Sequence, residues 1–517
     1  MHLLIVMAFG LLIWRTDQQP FDPPVESTIA SVSVVVLQFP LWWLAAWACS
    51  ARALRQLRGK GNGADAAQLT YHRSSLLLRV LVFAGFAADL FLTRWPRIVE
   101  HFNPIPPWFG ISDLIIISPL IVALAAVWHA QYPIDRALRG LVAKLRKWEG
   151  APRARVWTFR EYLSFNIRHH VLTLAVPMTI ILLTYRLCEH HRSQLVDALL
   201  FPWFPDAILG GVVALVLVLS PVFLKSIWAT SPLKDGPLRR RLESAMTDQR
   251  TGLRCRDILL WNSHGMMINA AVMGIFARFR YVLLSDGLLE GLSEDEVEAV
   301  FGHEAGHVRL HHMGYFFLFA LVSVLVVSGV VEVVVRLSQG SASPLRLSES
   351  AAEGIGLGLI AVVWLVAFGW LSRRFERQAD VFGAKCMSTG DVACGDACGV
   401  HPADGGAPAR GHPVCVAGAK VFVSALDQVA MLNGIPHEER SWRHSSIASR
   451  MRFLTAQAGD PTKAAAFHRS IRNIKRALWV MVVAGSIAAA VYCLWRPDYR
   501  QVIIQNTIEP LSKFWRS

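Results

Sequence analysis

The stretch His303-Glu304-Ala305-Gly306-His307 is the most informative part of this 517-residue chain. Residues four apart lie on one face of a helix, so His303 and His307 can bind the same Zn²⁺ while Glu304 lies beside the ion. Zinc activates a water molecule for hydrolysis, and a neighbouring carboxylate can accept its proton. The pattern therefore predicts a zinc site with Glu304 as general base, and a metallopeptidase is the leading interpretation.

The residues before this motif predict where its helix begins. Ser293 and Glu296 have the spacing of a capping box, in which each side chain binds a backbone amide of the other residue. Semi-apolar positions then recur at helical spacing, namely Val297, Val300, Phe301, Glu304, His307 and Val308. We expect a helix that starts at Ser293 and buries the face that carries the motif.

The composition indicates a polytopic membrane protein. The chain is 53% apolar, only 17% charged, contains 18 tryptophans and has a mean hydropathy of +0.38. Apolar runs of spanning or near-spanning length lie at about 28–50, 76–93, 111–129, 169–185, 207–228, 315–337, 354–372 and 477–495. A shorter run at 1–14 lacks a basic start and a cleavage site, so we interpret it as a retained helix.

The distribution of basic residues predicts the orientation in the membrane. If all nine runs span, 39 of the 52 Lys and Arg residues fall in four segments, 51–75, 130–168, 229–314 and 373–476. By the positive-inside rule these segments are cytoplasmic. The net charge of +14 then reflects topology and attraction to anionic lipid headgroups. The sequence contains no recognisable nucleic-acid-binding module, and we expect no nucleic-acid partner.

The third zinc ligand must come from outside the motif. The metzincin pattern is excluded because it requires Gly at Leu310 and His at Met313. A predicted transmembrane hairpin at 315–372 returns the chain to the same side at Glu376, which can complete a His₂Glu site. Asp380, one turn later, can accept a hydrogen bond from the outer nitrogen of a ligand histidine. The alternative is a solvated acidic pair next to neighbouring arginines.

The combined pattern resembles the integral-membrane gluzincin peptidases. This family includes the eukaryotic CAAX prenyl proteases and the bacterial HtpX protease. The resemblance rests on the motif at 303–307 together with Phe375-Glu376-Arg377-Gln378-Ala379-Asp380. Three further stretches match it, namely 269–274, 283–289 and 444–454. It extends from about residue 232 to residue 454.

The resemblance implies a role for each matching residue. It implies His303, His307 and Glu376 as zinc ligands, Glu304 as general base and acid, and Asp380 as a support for a ligand histidine. Together with the apolar runs, it implies a mainly α-helical fold with about eight or nine transmembrane helices. A cytoplasm-facing, zincin-like metallopeptidase domain would carry a small β-sheet.

Three further implications concern the substrate. The stretch around Asn269 is expected to be an edge strand that pairs with the substrate backbone. His444 is expected to act in catalysis and Arg450 to bind the substrate: both approach the scissile carbonyl and hold the developing oxyanion, or brace the site. Considered without the family, His444 and Arg450 would be a helix cap and a surface charge. His311 and His312 are expected to have a structural role at the membrane interface.

A stretch rich in Gly, Ala, Pro and Asp interrupts the helical pattern after Asp380, from about 389 to 418. Four cysteines lie in or beside it, namely Cys386, Cys394, Cys398 and Cys415. They can bind a second, structural Zn²⁺, form two disulfides or remain free thiols. A cytoplasmic location argues against disulfides.

We expect three domains: an N-terminal transmembrane bundle at 1–228, a metallopeptidase domain at 229–476 and a C-terminal helix and tail at 477–517. The hairpin 315–372 and a Cys-rich insertion 386–418 interrupt the second. The leading function is a zinc-dependent endopeptidase of the bacterial cytoplasmic membrane with a cytoplasmic site, cutting membrane-associated polypeptides in quality control or processing. One alternative is a CAAX-type protease for lipid-modified C-termini. Another is a non-catalytic scaffold or transporter with a relic site, which the intact ligands and base disfavour.

Overall fold

The computed structural model describes thirteen stretches of the chain. They are residues 2–17, 22–59, 63–148, 156–199, 201–247, 251–265, 267–339, 349–388, 400–401, 414–439, 442–458, 460–495 and a short piece at 501–505 that lacks 502 and 503. The chain divides into two compact units, the first containing Met1–Thr230 and the second Ser231–Glu509. The predicted domain boundaries remain predictions, and each unit is described by itself.

The first unit consists of helices. They are α1 (His2–Asp17), α2 (Thr28–Leu57), α3 (Gly63–Leu92), α4 (Trp95–Phe102), α5 (Ile111–Trp148), α6 (Phe159–Asn166), α7 (Thr173–His190), α8 (Arg192–Leu199) and α9 (Phe204–Ile227). Helices α2, α3 and α5 pack against one another, and α7 packs against α9. An ion pair between buried Asp113 of α5 and partly buried Arg186 of α7 joins those two helices.

The second unit contains a small mixed sheet. Its strands are β1 (Thr230–Pro232), β2 (Asp257–Trp261), β3 (Ala270–Met273) and β4 (Tyr281–Ser285), in the spatial order β1-β2-β4-β3. β2 runs parallel to β4, whereas β3 is antiparallel to it, with Ala270 opposite Leu284. Therefore β3 is an edge strand, as predicted for the stretch around Asn269.

Within the described residues, nine α-helices make up the rest of this unit. They are α10 (Pro237–Thr247), α11 (Asp286–Gly291), α12 (Glu294–Arg309), α13 (His312–Gln339), α14 (Glu349–Val363), α15 (Gly369–Ser388), α16 (Val416–Asn433), α17 (Ile447–Gln457) and α18 (Pro461–Trp495). One apolar cluster packs α12 against the sheet through Phe301, Val282 and Leu284. A second packs α15 against α16 and α18 through Phe375, Phe422 and Ile471.

The predicted membrane helices are confirmed. Within the described residues, eight helical segments are long and apolar enough to cross a membrane. They are Thr28–Leu57, Gly63–Leu92, Ile111–Lys144, Phe159–His190, Phe204–Ile227, His312–Ser338, Gly354–Ser388 and Pro461–Tyr492. The apolar part of α1, Leu4–Arg15, is shorter. The chain is thus a mainly α-helical, polytopic membrane protein with a small sheet.

The helix of the motif begins where the capping box predicts. The Ser293 hydroxyl accepts from the Glu296 amide at 3.4 Å, and the Glu296 carboxylate accepts from the Ser293 amide at 2.9 Å. After Arg309 the chain turns at His311, whose φ of 57° lies in the left-handed region. This break separates α12 from the membrane-length helix α13, so the motif lies on a short helix of its own.

Glycines allow α12 and α15 to pack closely. A Cβ added at Gly306 would lie 3.1 Å from Phe382, and one at Gly383 would lie 2.9 Å from both the Ala299 oxygen and the His303 nitrogen. Cβ atoms essentially never make contacts under 3.0 Å. The small residues therefore let the two backbones approach and bring the carboxylates of α15 to the histidines of α12.

The edges of the Cys-rich stretch are regular structure. Cys386 is buried within α15, which continues to Ser388. Cys415 is also buried, and its sulfur accepts from the Gly418 amide at 3.1 Å as the N-cap of α16. The other two cysteines of the predicted cluster, Cys394 and Cys398, lie outside the described residues.

Candidate metal centre

Three side chains from α12 and α15 converge on one point. The Nε2 atoms of His303 and His307 are 3.2 Å apart, and the Glu376 carboxylate lies 3.8 Å from the first and 3.7 Å from the second. Their potential ligand atoms all lie within 4.8 Å of one another. Tetrahedral zinc ligands at about 2.0–2.1 Å from the ion are roughly 3.3 Å apart. The donor set and its spacing therefore fit one zinc ion.

Glu304 lies between this cluster and the sheet. One oxygen of its carboxylate accepts from the backbone amide of Val272 in β3 at 3.2 Å. The backbone amide and carbonyl of Asn269 both bond to Ser285. Bonded and non-bonded pairs alternate in an antiparallel ladder, so the backbone groups of Ala271 and Met273 also point toward β4. The backbone groups of Ala270 and Val272 consequently point to the open edge of the sheet. The Val272 amide at this edge contacts Glu304 of α12.

Asp380 supports His303 from behind. Its Oδ1 lies 3.0 Å from Nδ1 of His303, the ring nitrogen opposite the proposed ligand atom. Arg450 of α17 binds both oxygens of the fully buried Asp380, at 2.9 and 2.5 Å. Of the two roles predicted for Arg450, these contacts support bracing the site, because a buried guanidinium needs an anion close by. Its assignment as a substrate-binding residue remains a prediction.

His312 supports the second histidine, a role that the sequence analysis missed. Its Nδ1 lies 3.0 Å from Nδ1 of His307, and its Nε2 lies 3.0 Å from the side-chain oxygen of Gln378. The His312 ring is fully buried and stacks on Phe375 at 4.5 Å. The expected structural role thus consists of contacting a proposed ligand, and a location of His312 at the membrane interface remains a prediction. The only signal was a histidine five residues after the motif.

His444 and Asn269 are the remaining predicted residues. Nδ1 of His444 lies 3.0 Å from the Glu376 carboxylate, and the side chain is 49% exposed. His444 is thus next to a proposed ligand and accessible from outside. Asn269 immediately precedes β3 and is exposed, whereas its backbone is held by Ser285. The structure therefore brings every predicted site residue to this centre or to the strand beside it.

Burial sets the proton affinities of the helix residues. Burial lowers the pKa of His307 to about 4 and raises the pKa of Glu304 to about 7. Burial also opposes the charged form of His303, but the contact with Asp380 outweighs it and raises the pKa of His303. His307 is consequently neutral at neutral pH, as a metal ligand must be. Glu304 can exchange a proton in the same pH range.

An HExxH helix, a carboxylate from a second helix and an adjacent edge strand define a zincin-like site, here in a chain with membrane-length helices. The sequence model of Peptidase family M48 matches residues 232–457. This range covers the sheet, both helices of the site and α17. The match confirms, for this region, the resemblance predicted from the motifs.

Individual sequence relatives match shorter parts of the chain, and one solved structure matches a longer part. A CAAX prenyl protease 1 homolog of Arabidopsis thaliana is 29% identical over 33% of this chain and 40% of its own length. An HtpX protease homolog of Janthinobacterium sp. (strain Marseille) is 30% identical over 27% of this chain and 49% of its own. The crystal structure of S. mikatae Ste24p covers 82% of this chain and 98% of its own at 16% identity, with a TM-score of 0.46. This chain thus spans about half or less of these sequence relatives.

Proposed function

We propose that this protein is a zinc-dependent endopeptidase that hydrolyses peptide bonds of membrane or membrane-associated polypeptides. The observation that carries the proposal is the convergence of His303, His307 and Glu376, with Glu304 between them and the open edge of β3. In this arrangement the three converging side chains hold the metal. When bound, zinc supplies Lewis-acid polarisation and activation of water.

Glu304 is the general base and acid of the proposed reaction. Its carboxylate takes a proton from the attacking water and later delivers it to the leaving amine. The pKa of about 7, raised by burial, suits both transfers near neutral pH. The Val272 amide orients the carboxylate, because it donates to one oxygen and leaves the other free for the water.

The remaining residues hold the proposed ligands in place. Asp380 with Arg450 keeps His303 oriented, and His312 with Gln378 does the same for His307. Half-exposed His444 contacts Glu376, where it can also donate a hydrogen bond to a developing oxyanion.

An extended substrate would bind along the open edge of β3. Ala270 and Val272 face this edge, and pairing by β-strand addition is how many peptide-binding sheets hold a backbone. The exposed Asn269 lies at one end of the same edge and is available to the substrate. A polypeptide in this position passes directly over Glu304.

The location follows from charge. The basic segments predicted to be cytoplasmic include 229–314 and 373–476, which contain the site residues. We infer that the site faces the cytoplasm and, from the HtpX homologs of bacteria, that the membrane is the bacterial cytoplasmic membrane. Quality control or processing of membrane proteins is the corresponding role.

A second candidate is the processing of lipid-modified C-termini. The similarity to the CAAX prenyl protease 1 homolog of Arabidopsis thaliana favours it. Cleavage of a farnesylated CAAX peptide, compared with the same peptide without the lipid, distinguishes the two candidates. A preference of tenfold or more for the lipidated peptide would support processing.

The experiment that tests the proposal compares wild type with Glu304→Gln in detergent, using an unfolded membrane protein as substrate. We expect the same zinc content in both, and cleavage reduced at least about a hundredfold in the variant, because the base is lost and the ligands remain. Glu294→Gln, exposed on the same helix, is the matched control and keeps full activity. Equal cleavage by Glu304→Gln, or no zinc in wild type, would favour the non-catalytic scaffold.

A second, structural zinc at Cys386, Cys394, Cys398 and Cys415 is a separate proposal. It is supported by the spacing of the four cysteines in the sequence and by the burial of Cys386 and Cys415. A stoichiometry of two zinc ions per chain that falls to one on Cys394→Ser would support it. A constant stoichiometry of one would exclude it.

A further inference from the structure

A basic cavity of about 360 Å³ lies beside Gln378, which contacts His312 next to the metal centre. Its lining comes from α13, α15 and α18, and consists of Tyr315, Gln378, His468, Ile471, Arg472, Lys475, Arg476 and Trp479. Three of these residues are lysine or arginine, and no lining residue is acidic. The cavity therefore has the chemistry of an anion site.

Two of the cations are available to a ligand. Arg472 and Arg476 are exposed on consecutive turns of α18, and neither forms an ion pair with any residue that the structure describes. Lys475 between them is engaged, since its ammonium donates to the Leu310 carbonyl at 2.8 Å and lies 4.6 Å from the Tyr315 ring centre. The cavity thus presents two unpaired guanidinium groups, which bind phosphate oxygens well.

The cavity lies where the membrane surface is expected. On α18 the cations end at Arg476, and the exposed apolar side chains begin with Trp479 and Val480. On α13, Tyr315 occupies the same level, just after the helix begins at His312. Aromatic residues next to basic ones mark the headgroup region of a bilayer. A ligand in this cavity can therefore have its acyl chains in the membrane.

We propose that this cavity binds the phosphate of an anionic phospholipid and couples its presence to the metal centre. The coupling runs through Gln378, which lines the cavity and contacts His312, the residue that supports His307. Lys475 adds a second link, because it holds the carbonyl end of α12. A bound headgroup restrains Gln378 and Lys475, and this stabilises the orientation of the proposed zinc ligand His307. Binding stands by itself, whereas the effect on cleavage rests on the proposed peptidase function.

The binding test uses the full chain in detergent, with native mass spectrometry and added phosphatidylglycerol. We expect wild type to retain one phosphatidylglycerol and the double variant R472Q/R476Q to retain it about tenfold more weakly, because each cation near a headgroup contributes substantially. R469Q removes a charge from the same helix outside the cavity and should behave as wild type. R472K/R476K should recover part of the affinity, because lysine keeps the charge and loses the paired geometry.

Several results would overturn the binding proposal. Equal loss in R469Q would show general surface attraction. Equal retention of phosphatidylcholine would show that the charge is not read. Displacement of the lipid by millimolar inorganic phosphate would identify the ligand as free phosphate and exclude a lipid site.

The coupling test measures cleavage in nanodiscs of phosphatidylcholine with and without phosphatidylglycerol. We expect phosphatidylglycerol to increase wild-type cleavage several-fold, and R472Q/R476Q to keep the basal rate without the increase. Binding without any increase in wild type would overturn the coupling alone. Complete absence of cleavage in every membrane would instead count against the peptidase function, while the mass-spectrometric result would remain. A higher KM of the double variant at equal lipid response would identify the arginines as a substrate site.

Discussion

The two units of this protein each contain a buried aspartate that an arginine binds with nearly the same geometry. In the first unit, Arg186 binds both oxygens of Asp113 at 2.9 and 2.7 Å. In the second, Arg450 binds both oxygens of Asp380 at 2.9 and 2.5 Å. Asp380 additionally contacts His303, so its charge reaches a proposed metal ligand. The two pairs therefore differ in the residue that the aspartate contacts next, and not in the geometry of the pair itself.

The largest expected difference concerns stability. Arg186→Met leaves Asp113 buried without its partner and should cost about 3–5 kcal/mol, whereas Asp113→Leu/Arg186→Met should recover most of that loss. The same double replacement at Asp380 and Arg450 should recover stability without recovering zinc. Thermal unfolding in detergent together with zinc content measures both effects. Full zinc occupancy in the Asp380/Arg450 double variant would show that this pair, like Asp113 and Arg186, contributes only to stability.

A milder substitution sharpens the same contrast. Asp380→Asn keeps the shape but weakens the support of His303, so zinc affinity should fall about 10- to 100-fold. Asp113→Asn is the matched control and should leave zinc affinity unchanged. Competition with chelators of graded affinity measures the effect. Equal affinities of the two variants would mean that Asp380 is structural only.

In the second unit, a glycine lets two helix backbones pack closely. Gly383→Ala places a Cβ 2.7 Å from the Phe422 ring and 2.9 Å from backbone atoms of α12, which should cost about 1–3 kcal/mol and weaken zinc binding. Gly140→Ala in α5 meets nothing within 4 Å and should be neutral or stabilising. Thermal midpoints and zinc content of the two variants provide the test. A neutral Gly383→Ala would show that α12 and α15 can separate without loss.

The smallest effect concerns helix capping. Each unit contains a helix that begins with a capping box. Thr158 with Glu161 caps α6, and Ser293 with Glu296 caps α12. Thr158→Ala and Ser293→Ala should each cost about 1 kcal/mol of stability. Because the motif lies three turns from its cap, Ser293→Ala should leave zinc affinity unchanged. A fall in zinc affinity in that variant alone would show that the cap positions the ligands.

Local sequence patterns predicted much of the fold and the site. The eight membrane-length helices, the capping box and the shared face of His303 and His307 all depend on residues close together in the chain. The third ligand, Glu376, was predicted by topology, because a hairpin of two spans returns the chain to its starting side. The supporting residues His312 and Gln378 were not predicted, since neither has a spacing that distinguishes it from an ordinary interfacial residue.

The sequence alone determined the membrane class, the motif helix and the start of that helix, because hydropathy, periodicity and capping act within contiguous segments. Only the tertiary structure decided which residues support the metal ligands. Arg450 meets Asp380 across seventy residues, and Lys475 meets Leu310 across 165. Such contacts depend on how closely α12, α15 and α18 pack. That spacing is set by glycine contacts between helices and is not encoded in any one of them.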